Sequence, residues 1–352
     1  MRLLFFGDYH FNNYIQFCQK LDSLIKKSDY VIINLEGPLI RNHLKINAHR
    51  TQKFGPNIKN DPIFFNKIFK YKNIIVAGAN NHIFDYGEEG IKETIKFLNK
   101  QKINFFGFGN NYQNASKPII INDEIAIFNF AENEFGAANL NSYGFSNYNK
   151  KIINEIIKFS KTHKIIVYFH GGTENLEVPN PFVRNLFSIL SNYSIAVIGN
   201  HPHIPQSCKV INQKLICYSL GNFIFEPIKF NWKNILRKIF FKEYIPINHF
   251  WNYSLAIEIN IEDKISFKEH RIKNNFNKLE IIKDINFDKY MFRINNLKDN
   301  EIKKIWYEWC KKIKPNYVKY FNYKFLKNSK LAKINFEQCE SHLEVLKTIK
   351  FL

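Results

Sequence analysis

The stretch Val197-Ile-Gly-Asn-His-Pro-His-Ile-Pro-Gln206 closes a short apolar run with two histidines, His201 and His203, one residue apart. A short run of this kind is typical of a β-strand that is buried on both faces. Residues i and i+2 of a strand point to the same side, so both imidazoles are expected to face one cluster of side chains. The stretch therefore predicts a buried strand whose end carries functional groups.

Similar apolar runs alternate with amphipathic stretches from residue 1 to about residue 200. Ile91, Ile95 and Leu98 have helical spacing and predict a helix near residues 88–100. This alternation is typical of an α/β protein in which helices cover a largely buried sheet. The predicted strands are residues 3–6, 30–34, 73–77, 125–129, 164–169 and 194–198.

Beyond about residue 205 the pattern changes to β-hairpins and then to helices. Residues 207–210 are predicted to pair with 215–219, and residues 253–261 with 264–272. From about residue 286 the chain is rich in lysine and aromatic residues, and a helix is predicted over 299–313, ended by Pro315. We predict a domain of residues 1–280 followed by a basic, aromatic-rich helical extension of residues 281–352.

The composition excludes a disordered chain, because 45% of the 352 residues are hydrophobic and 23% are charged. A formal net charge of +20 favours an anionic partner, with a solvated lysine surface as the equally weighted alternative. The five cysteines have no CxxC spacing, which indicates neither a disulfide framework nor a cysteine zinc site. Without a signal-like or membrane-spanning apolar run, a cytoplasmic protein is expected.

A basic, aromatic-rich stretch at residues 230–251 interleaves lysine and arginine with phenylalanine, tyrosine and tryptophan. Such a stretch can bind an anionic membrane surface, so a membrane-peripheral location is the alternative to a purely cytoplasmic one. It can equally be an insertion that packs its rings on the core while its lysines reach solvent. The sequence leaves both interpretations open.

Side chains able to bind metal follow five of the predicted strands. The carboxyl ends of strands in an α/β sheet share one edge, so these groups are expected to converge. A single histidine at a strand end is more often structural, but five successive strand ends with such groups predict a metal site. The predicted ligands are Asp8, His10, Glu36, Asn81, His170, His201 and His203.

The types of ligand indicate which metals are expected. Carboxylate, amide and imidazole groups without cysteine suit Mn²⁺, Fe²⁺ or Zn²⁺. Because the set exceeds what one tetrahedral ion accepts, two divalent ions are predicted. Two such ions activate a hydroxide near neutral pH and hold the oxygens of a phosphoryl centre, and Glu36 is the expected bridging carboxylate.

Six ordered motifs resemble the CapA-type poly-γ-glutamate capsule biosynthesis family, a branch of the calcineurin-like metallophosphoesterase superfamily. The resemblance extends from residue 3 to about residue 225. It implies a four-layer α/β/β/α metallophosphoesterase-like sandwich, here with a C-terminal helical appendage. The motifs are Gly7-Asp8, Asn34-Leu-Glu-Gly-Pro-Leu39, Asn80-Asn-His82 with Tyr86-Gly87, His170-Gly-Gly-Thr-Glu174, Gly199-Asn-His-Pro-His203 and Tyr218-Ser-Leu-Gly-Asn-Phe-Ile-Phe225.

The resemblance also assigns roles to individual residues. His82 matches the histidine that protonates a leaving group or steadies an oxyanion and is the predicted catalytic residue. His10 fits the Asp-x-His spacing of the wider superfamily, whereas the capsule branch often lacks this histidine, so its role as a ligand stays open. Asp85 and Glu174 are expected either to orient ligand histidines or to serve as turn and helix formers.

The function predicted from these residues is a metal-dependent hydrolase with phosphoesterase-like chemistry in capsule or surface-polymer biosynthesis. Its expected substrate is an anionic polymer or a phosphoester, and its expected partners are capsule biosynthesis proteins and a peripheral membrane surface. One alternative is a non-catalytic assembly factor of a capsule synthase. A nucleic-acid phosphodiesterase rests on charge alone, and nucleic acid is not an expected partner.

Overall fold

The computed structural model describes residues 1–41, 50–51, 53, 56–226, 249–275, 277–321 and 338–351, without the side chains of residues 315–321. The basic, aromatic-rich stretch at 230–251 lies outside the described residues except for 249–251.

Strands and helices alternate through the first two hundred residues, as the apolar runs predict. The strands are β1 (Arg2–His10), β2 (Gln16–Phe17), β3 (Tyr30–Leu35), β4 (Ile74–Ala77), β5 (Asn104–Phe106), β6 (Phe108–Gly109), β7 (Ile119–Ile121), β8 (Ile125–Ala131), β9 (Gly144–Phe145), β10 (Lys164–His170), β11 (Ala196–Asn200), β12 (Cys208–Ile211), β13 (Lys214–Cys217), β14 (Asn222–Phe225), β15 (Tyr253–Ile261), β16 (Ile265–Asn274) and β17 (Lys278–Ile281). The helices are α1 (Gln19–Lys27), α2 (Pro62–Ile68), α3 (Gly87–Lys100), α4 (Tyr112–Ser116), α5 (Lys150–Phe159), α6 (Pro181–Ser191), α7 (Ile285–Asn296), α8 (Asp299–Phe321) and α9 (Glu340–Phe351).

Two sheets form the centre of the described chain. The first has the order β2-β17-β16-β15-β1-β3-β4-β5, and β14 also pairs with β1. The second has the order β12-β13-β11-β10-β8-β7. Strands β1, β3 and β4 run parallel to one another, as do β8, β10 and β11. Both predicted hairpins are confirmed, since β12 pairs antiparallel with β13 and β15 with β16.

Alternating side chains of each strand face different layers. In β1, Phe5 packs between the two sheets, whereas Phe6 packs on the outer face of the first sheet. In β10, Tyr168 faces the first sheet and Phe169 faces α6. Helices α1, α2 and α3 cover the outside of the first sheet, and α5 and α6 cover the outside of the second. The predicted four-layer α/β/β/α sandwich is confirmed.

Capping residues fix the starts of the two helices on the second sheet. The Oδ1 atom of Asn149 accepts a hydrogen bond from Ile152 N ahead of α5. The Oδ1 atom of Asn180 accepts one from Val183 N ahead of α6, which has Pro181 in its first turn. Asparagine is a favoured capping residue and proline suits the first helical turn, so the local sequence dictates where both helices begin.

The C-terminal helices pack at two places. Helix α7 places Phe287, Met291 and Ile294 in the core between the sheets. Helices α8 and α9 contact each other and the loop that follows β10. The predicted end of a helix at residue 313 is wrong, because α8 continues past Pro315 to Phe321. A proline removes one backbone donor and bends a helix without always ending it.

The predicted domain boundary at residue 280 stays a prediction. Within the described part of the chain, no helix has both the length and the apolarity that crossing a membrane requires.

Candidate metal centre

Asp8, at the end of β1, is the most connected carboxylate among the predicted ligands. Its Oδ1 accepts a hydrogen bond of 2.7 Å from Asn34 Nδ2, and its Oδ2 accepts one of 3.1 Å from the backbone N–H of His201. The Nδ1 atoms of His170 and His203 each lie 3.6 Å from an Asp8 oxygen. Burial acts to raise the pKa of Asp8, but His170, His203 and Asn34 hold it below 3.8. A carboxylate is therefore favoured here.

Glu36, just after β3, is fully buried, and both of its carboxylate oxygens lack a hydrogen-bond partner among the described residues. Its Oε1 lies 3.8 Å from both His82 Nε2 and His203 Nε2. Burial, followed by the charges of Asp8 and Glu174, raises the pKa of Glu36 well above 4.5. Buried polar atoms are normally paired, so two unpaired oxygens beside two imidazoles fit a site that receives a cation.

His170, at the end of β10, contacts Asn81 and His201 in addition to Asp8. Its Nε2 lies 3.1 Å from Asn81 Oδ1 and 3.1 Å from His201 Nδ1. Burial lowers the pKa of His170, and burial followed by the charge of His170 lowers that of His201 well below 6.5. Both imidazoles are therefore neutral near pH 7, which is the form that binds metal.

The backbone around His201 and His203 differs from the expected strand geometry. Strand β11 ends at Asn200, and the two histidines have φ values of 97° and 59°. The prediction that strand alternation aligns the two imidazoles is wrong, because a left-handed turn places them instead. Such a backbone costs about 1–3 kcal/mol per residue outside glycine, and it persists where the surroundings enforce it.

Asn222, at the start of β14, holds the ring of His203. The Nδ1 atom of His203 lies 2.9 Å from Asn222 Oδ1, and Asn222 Nδ2 donates to Trp251 O at 3.1 Å. The second bond fixes the orientation of the amide, so Nδ1–H of His203 donates to Oδ1 and the lone pair of a neutral ring lies on Nε2. Asn222 lies opposite Asp8 in the sheet. Pairing between β1 and β14 thus brings this supporting amide to the site.

Two groups of three residues could each hold an ion, because one ligand atom from each residue of a group lies within 4.8 Å of the other two. His203 belongs to both groups. One set joins it with Asp8 and Glu36, and the other joins it with Glu174 and His201. Glu174 was predicted only as an orienting residue or a turn former. Its place in His170-Gly-Gly-Thr-Glu174, just after a strand, was the signal that it could be a ligand as well.

His82 lies beside this cluster and has two polar neighbours at one nitrogen. Its Nδ1 lies 2.7 Å from Asp85 Oδ2 and 2.9 Å from Lys53 Nζ. Lys53 also forms an ion pair with Asp85. Burial, followed by the charge of Lys53, lowers the pKa of His82 to about 4. Sequence reasoning missed Lys53, which lies in no periodic stretch and in none of the six motifs.

His10 is buried in the same region but has different contacts. Its Nδ1 lies 3.2 Å from Asn60 Oδ1, and its ring meets Phe225 edge to face. Burial lowers the pKa of His10 to about 4. These contacts involve none of the other predicted ligands, so a ligand role for His10 stays a prediction.

A protein-family model described as "Bacterial capsule synthesis protein PGA_cap" matches residues 4–227. The chain is 28% identical over 280 residues to "PGA biosynthesis protein CapA" of Bacillus subtilis (strain 168), covering 76% of this chain and 72% of that protein. It is 28% identical over 215 residues to "Capsule biosynthesis protein CapA" of Bacillus anthracis, covering 57% of this chain and 52% of that protein.

Solved structures with a similar course of the chain include two proteins of Thermus thermophilus. A hypothetical protein matches with a TM-score of 0.43 and 14% identity, over 77% of this chain and 99% of that one. A second protein matches with a TM-score of 0.37 and 8% identity, over 76% of this chain and 97% of that one.

Proposed function

Because this chain belongs to the bacterial capsule synthesis protein family, we propose that it is a metal-dependent hydrolase acting in capsule biosynthesis, on poly-γ-glutamate or another surface polymer. The observation that carries the proposal is Glu36, a buried carboxylate that faces His82 and His203 and whose two oxygens have no hydrogen-bond partner in the described part of the chain. An interior charge without partners is costly unless a counter-ion neutralises it. The groups of described residues around it that could hold an ion consist of aspartate, glutamate and histidine, without cysteine.

The proposed ligands belong to strand ends of both sheets. Two divalent ions of the Mn²⁺, Fe²⁺ or Zn²⁺ class, when bound, would supply Lewis-acid activation of water and of a phosphoryl-type centre. Two asparagines orient the proposed ligands. Asn34 donates a hydrogen bond to Asp8, and Asn222 accepts one from His203. The proposed ligands are Asp8, Glu36, Asn81, His170, Glu174, His201 and His203, with His10 as a further predicted ligand.

His82 is proposed to donate a hydrogen bond to an oxyanion or to the leaving-group oxygen, because a pKa of about 4 leaves its ring neutral near pH 7. If Nδ1 donates to Asp85, Nε2 carries a lone pair, whereas if Nδ1 accepts from Lys53, the proton lies on Nε2. One nitrogen cannot do both, so these two neighbours select between the two tautomers. The tautomer with Nε2–H can donate to an oxyanion or to a departing oxygen on the side that faces Glu36.

The test is hydrolysis of bis-p-nitrophenyl phosphate by purified protein loaded with Mn²⁺. His82→Ala is expected to lower turnover about 10²–10³-fold, the usual effect of removing one hydrogen-bond donor to an oxyanion. His163→Ala is the matched control, because that imidazole is bonded to Thr162 in an exposed turn. Failure of the wild-type protein to bind Mn²⁺, or full turnover by His82→Ala, would refute the proposal.

A non-catalytic assembly factor is the second candidate. The names of both relatives state a biosynthetic process and no reaction, which is the observation that favours it. The two candidates differ in a polymer-production assay in a strain that lacks its own CapA protein. Restoration of polymer by Asp8→Asn, at the level of the wild-type chain, would favour the assembly factor over the hydrolase.

A further inference from the structure

We propose that helix α9 is part of the support of the metal centre, and that Ser341 acts through Glu132 as a positioning residue for the loop carrying His170 and Glu174. The proposal rests on the proposed function, because it concerns the same centre. It adds a role for residues 340–351, which lie outside the 4–227 region that the family model matches.

Glu132, just after β8, contacts both sides of the turn that follows β10. Its backbone N–H donates to His170 O at 3.1 Å, and its Oε1 accepts from Gly172 N at 2.7 Å. A Cβ atom at Gly171 would lie 2.6 Å from Glu132 Cγ. The turn between His170 and Glu174 is therefore built around the Glu132 side chain.

The same carboxylate receives the start of α9. Oε2 of Glu132 accepts from Ser341 N at 2.9 Å and from Cys339 Sγ at 2.8 Å, while the hydroxyl of Ser341 donates to Oε1. In return, Asn133 N donates to Glu340 Oε2 at 2.8 Å. The first N–H groups of a helix have no partner within the helix, so Glu132 caps α9 across the tertiary fold.

Asn180 closes the network at the far end of the loop. Its Nδ2 donates to Ser341 Oγ at 2.5 Å and to Thr173 Oγ1 at 3.1 Å, while its Oδ1 caps α6. Ser341 therefore contacts both Glu132, which binds the glycine turn, and Asn180, which lies at the end of the loop. In a buried network, removal of one member leaves the others unsatisfied, at a cost of about 1–3 kcal/mol for each group.

A small hydrophobic core backs the same loop. Leu176 and Val178 of the loop lie in one buried cluster with side chains of α8 and α9. Apolar packing between a loop and two helices limits the conformations that the loop can sample. The helical members of the cluster are Trp306, Cys310, Ile313, Val345 and Ile349.

The experiment uses the full chain and compares Ser341→Ala, Glu132→Gln and the double variant with wild type. Mn²⁺ affinity is measured by titration calorimetry well below the unfolding temperature, and amide hydrogen exchange is followed over residues 171–176. Each single variant is expected to lose about tenfold or more in affinity, the usual effect of removing a group that supports metal ligands. Ser188→Ala, an exposed serine on α6, is the matched control.

The double variant distinguishes action through Glu132 from a separate effect of Ser341. Coupled residues are non-additive, so the double variant is expected to bind Mn²⁺ no more weakly than Glu132→Gln alone. Ser341→Thr keeps the hydroxyl and is expected to restore affinity and exchange protection. If the wild type binds Mn²⁺ and the two variants lose affinity additively, or lose none, the inference is overturned and the proposed function stands.

Absence of Mn²⁺ binding by the wild type would refute the proposed function instead. The exchange measurement then decides the inference by itself, because it needs no metal. Unchanged protection of residues 171–176 in Ser341→Ala would overturn it.

Discussion

Replacement of Glu36 by glutamine is expected to stabilise the metal-free protein and to weaken its affinity for metal. The carboxylate is fully buried and neither oxygen has a hydrogen-bond partner among the described residues. Glutamine keeps the shape of the side chain and carries no charge at any pH. A residue kept for stability would behave in the opposite way, since its replacement would destabilise the protein.

The magnitude follows from the cost of charging a buried carboxyl. Glutamine keeps a buried polar group of the same shape but has no proton to lose, and each unit by which a pKa is raised corresponds to about 1.4 kcal/mol, so we expect Glu36→Gln to gain about 1–3 kcal/mol at pH 8. The folded-state pKa of Glu36 is raised above 4.5 by burial. The folded protein thus keeps a proton that the unfolded chain has lost, and wild-type stability falls as pH rises above about 4.5. The gain from the substitution should therefore shrink at pH 5.

Denaturant unfolding in EDTA at pH 5 and pH 8, repeated with Mn²⁺ at pH 8, provides the assay. At an ion concentration one hundred times the Kd, the wild type should gain about 2.7 kcal/mol, whereas the variant should gain far less. Glu262→Gln, in the exposed turn between β15 and β16, is the control and should change stability by less than about 0.5 kcal/mol. Lower stability of Glu36→Gln than of wild type in EDTA at pH 8 would refute the reasoning.

Three further results are expected. Lys53→Met should lower kcat for bis-p-nitrophenyl phosphate about 10²-fold and Mn²⁺ affinity less than tenfold, because Lys53 contacts His82 Nδ1 and so favours the tautomer with Nε2–H; equal losses would contradict this. Calorimetry in buffers of different ionisation heat should show that protons are released when Mn²⁺ binds, because burial raises the pKa of Glu36. Mn²⁺ should also bind more weakly at lower pH. Binding without proton release would contradict the role of Glu36 as a ligand. Phe187→Ala should cost about 3–5 kcal/mol in chemical unfolding, because its ring is buried between α6 and the second sheet; a cost under about 1 kcal/mol would argue against this packing.

The layers of the fold could be predicted from the sequence because each depends on a local pattern. Short apolar runs predicted the central strands of both sheets, and helical spacing predicted α3. The proximity of Asp8, Glu36 and His203 was also predicted from their places at strand ends, although β1 and β3 belong to the first sheet and β11 to the second. That these residues bind metal stays a prediction.

Other features depend on contacts that no local pattern encodes. Lys53 meets His82 from a segment without periodicity. No residue type in their stretch requires the left-handed backbone at His201 and His203. Glu132 has an unremarkable place after a strand, and its role depends on a partner far along the chain. Such long-range polar contacts need coordinates to be found.

The bond between Glu132 and Ser341 spans 209 residues and so has a consequence for protein synthesis. At about 5–20 residues per second, roughly 10–40 s separate the emergence of these two residues from the ribosome. During that interval the nascent chain can build both sheets while the turn after β10 still lacks its C-terminal support. Maturation of the proposed centre is therefore expected to follow formation of the sheets and to be completed only when helix α9 docks.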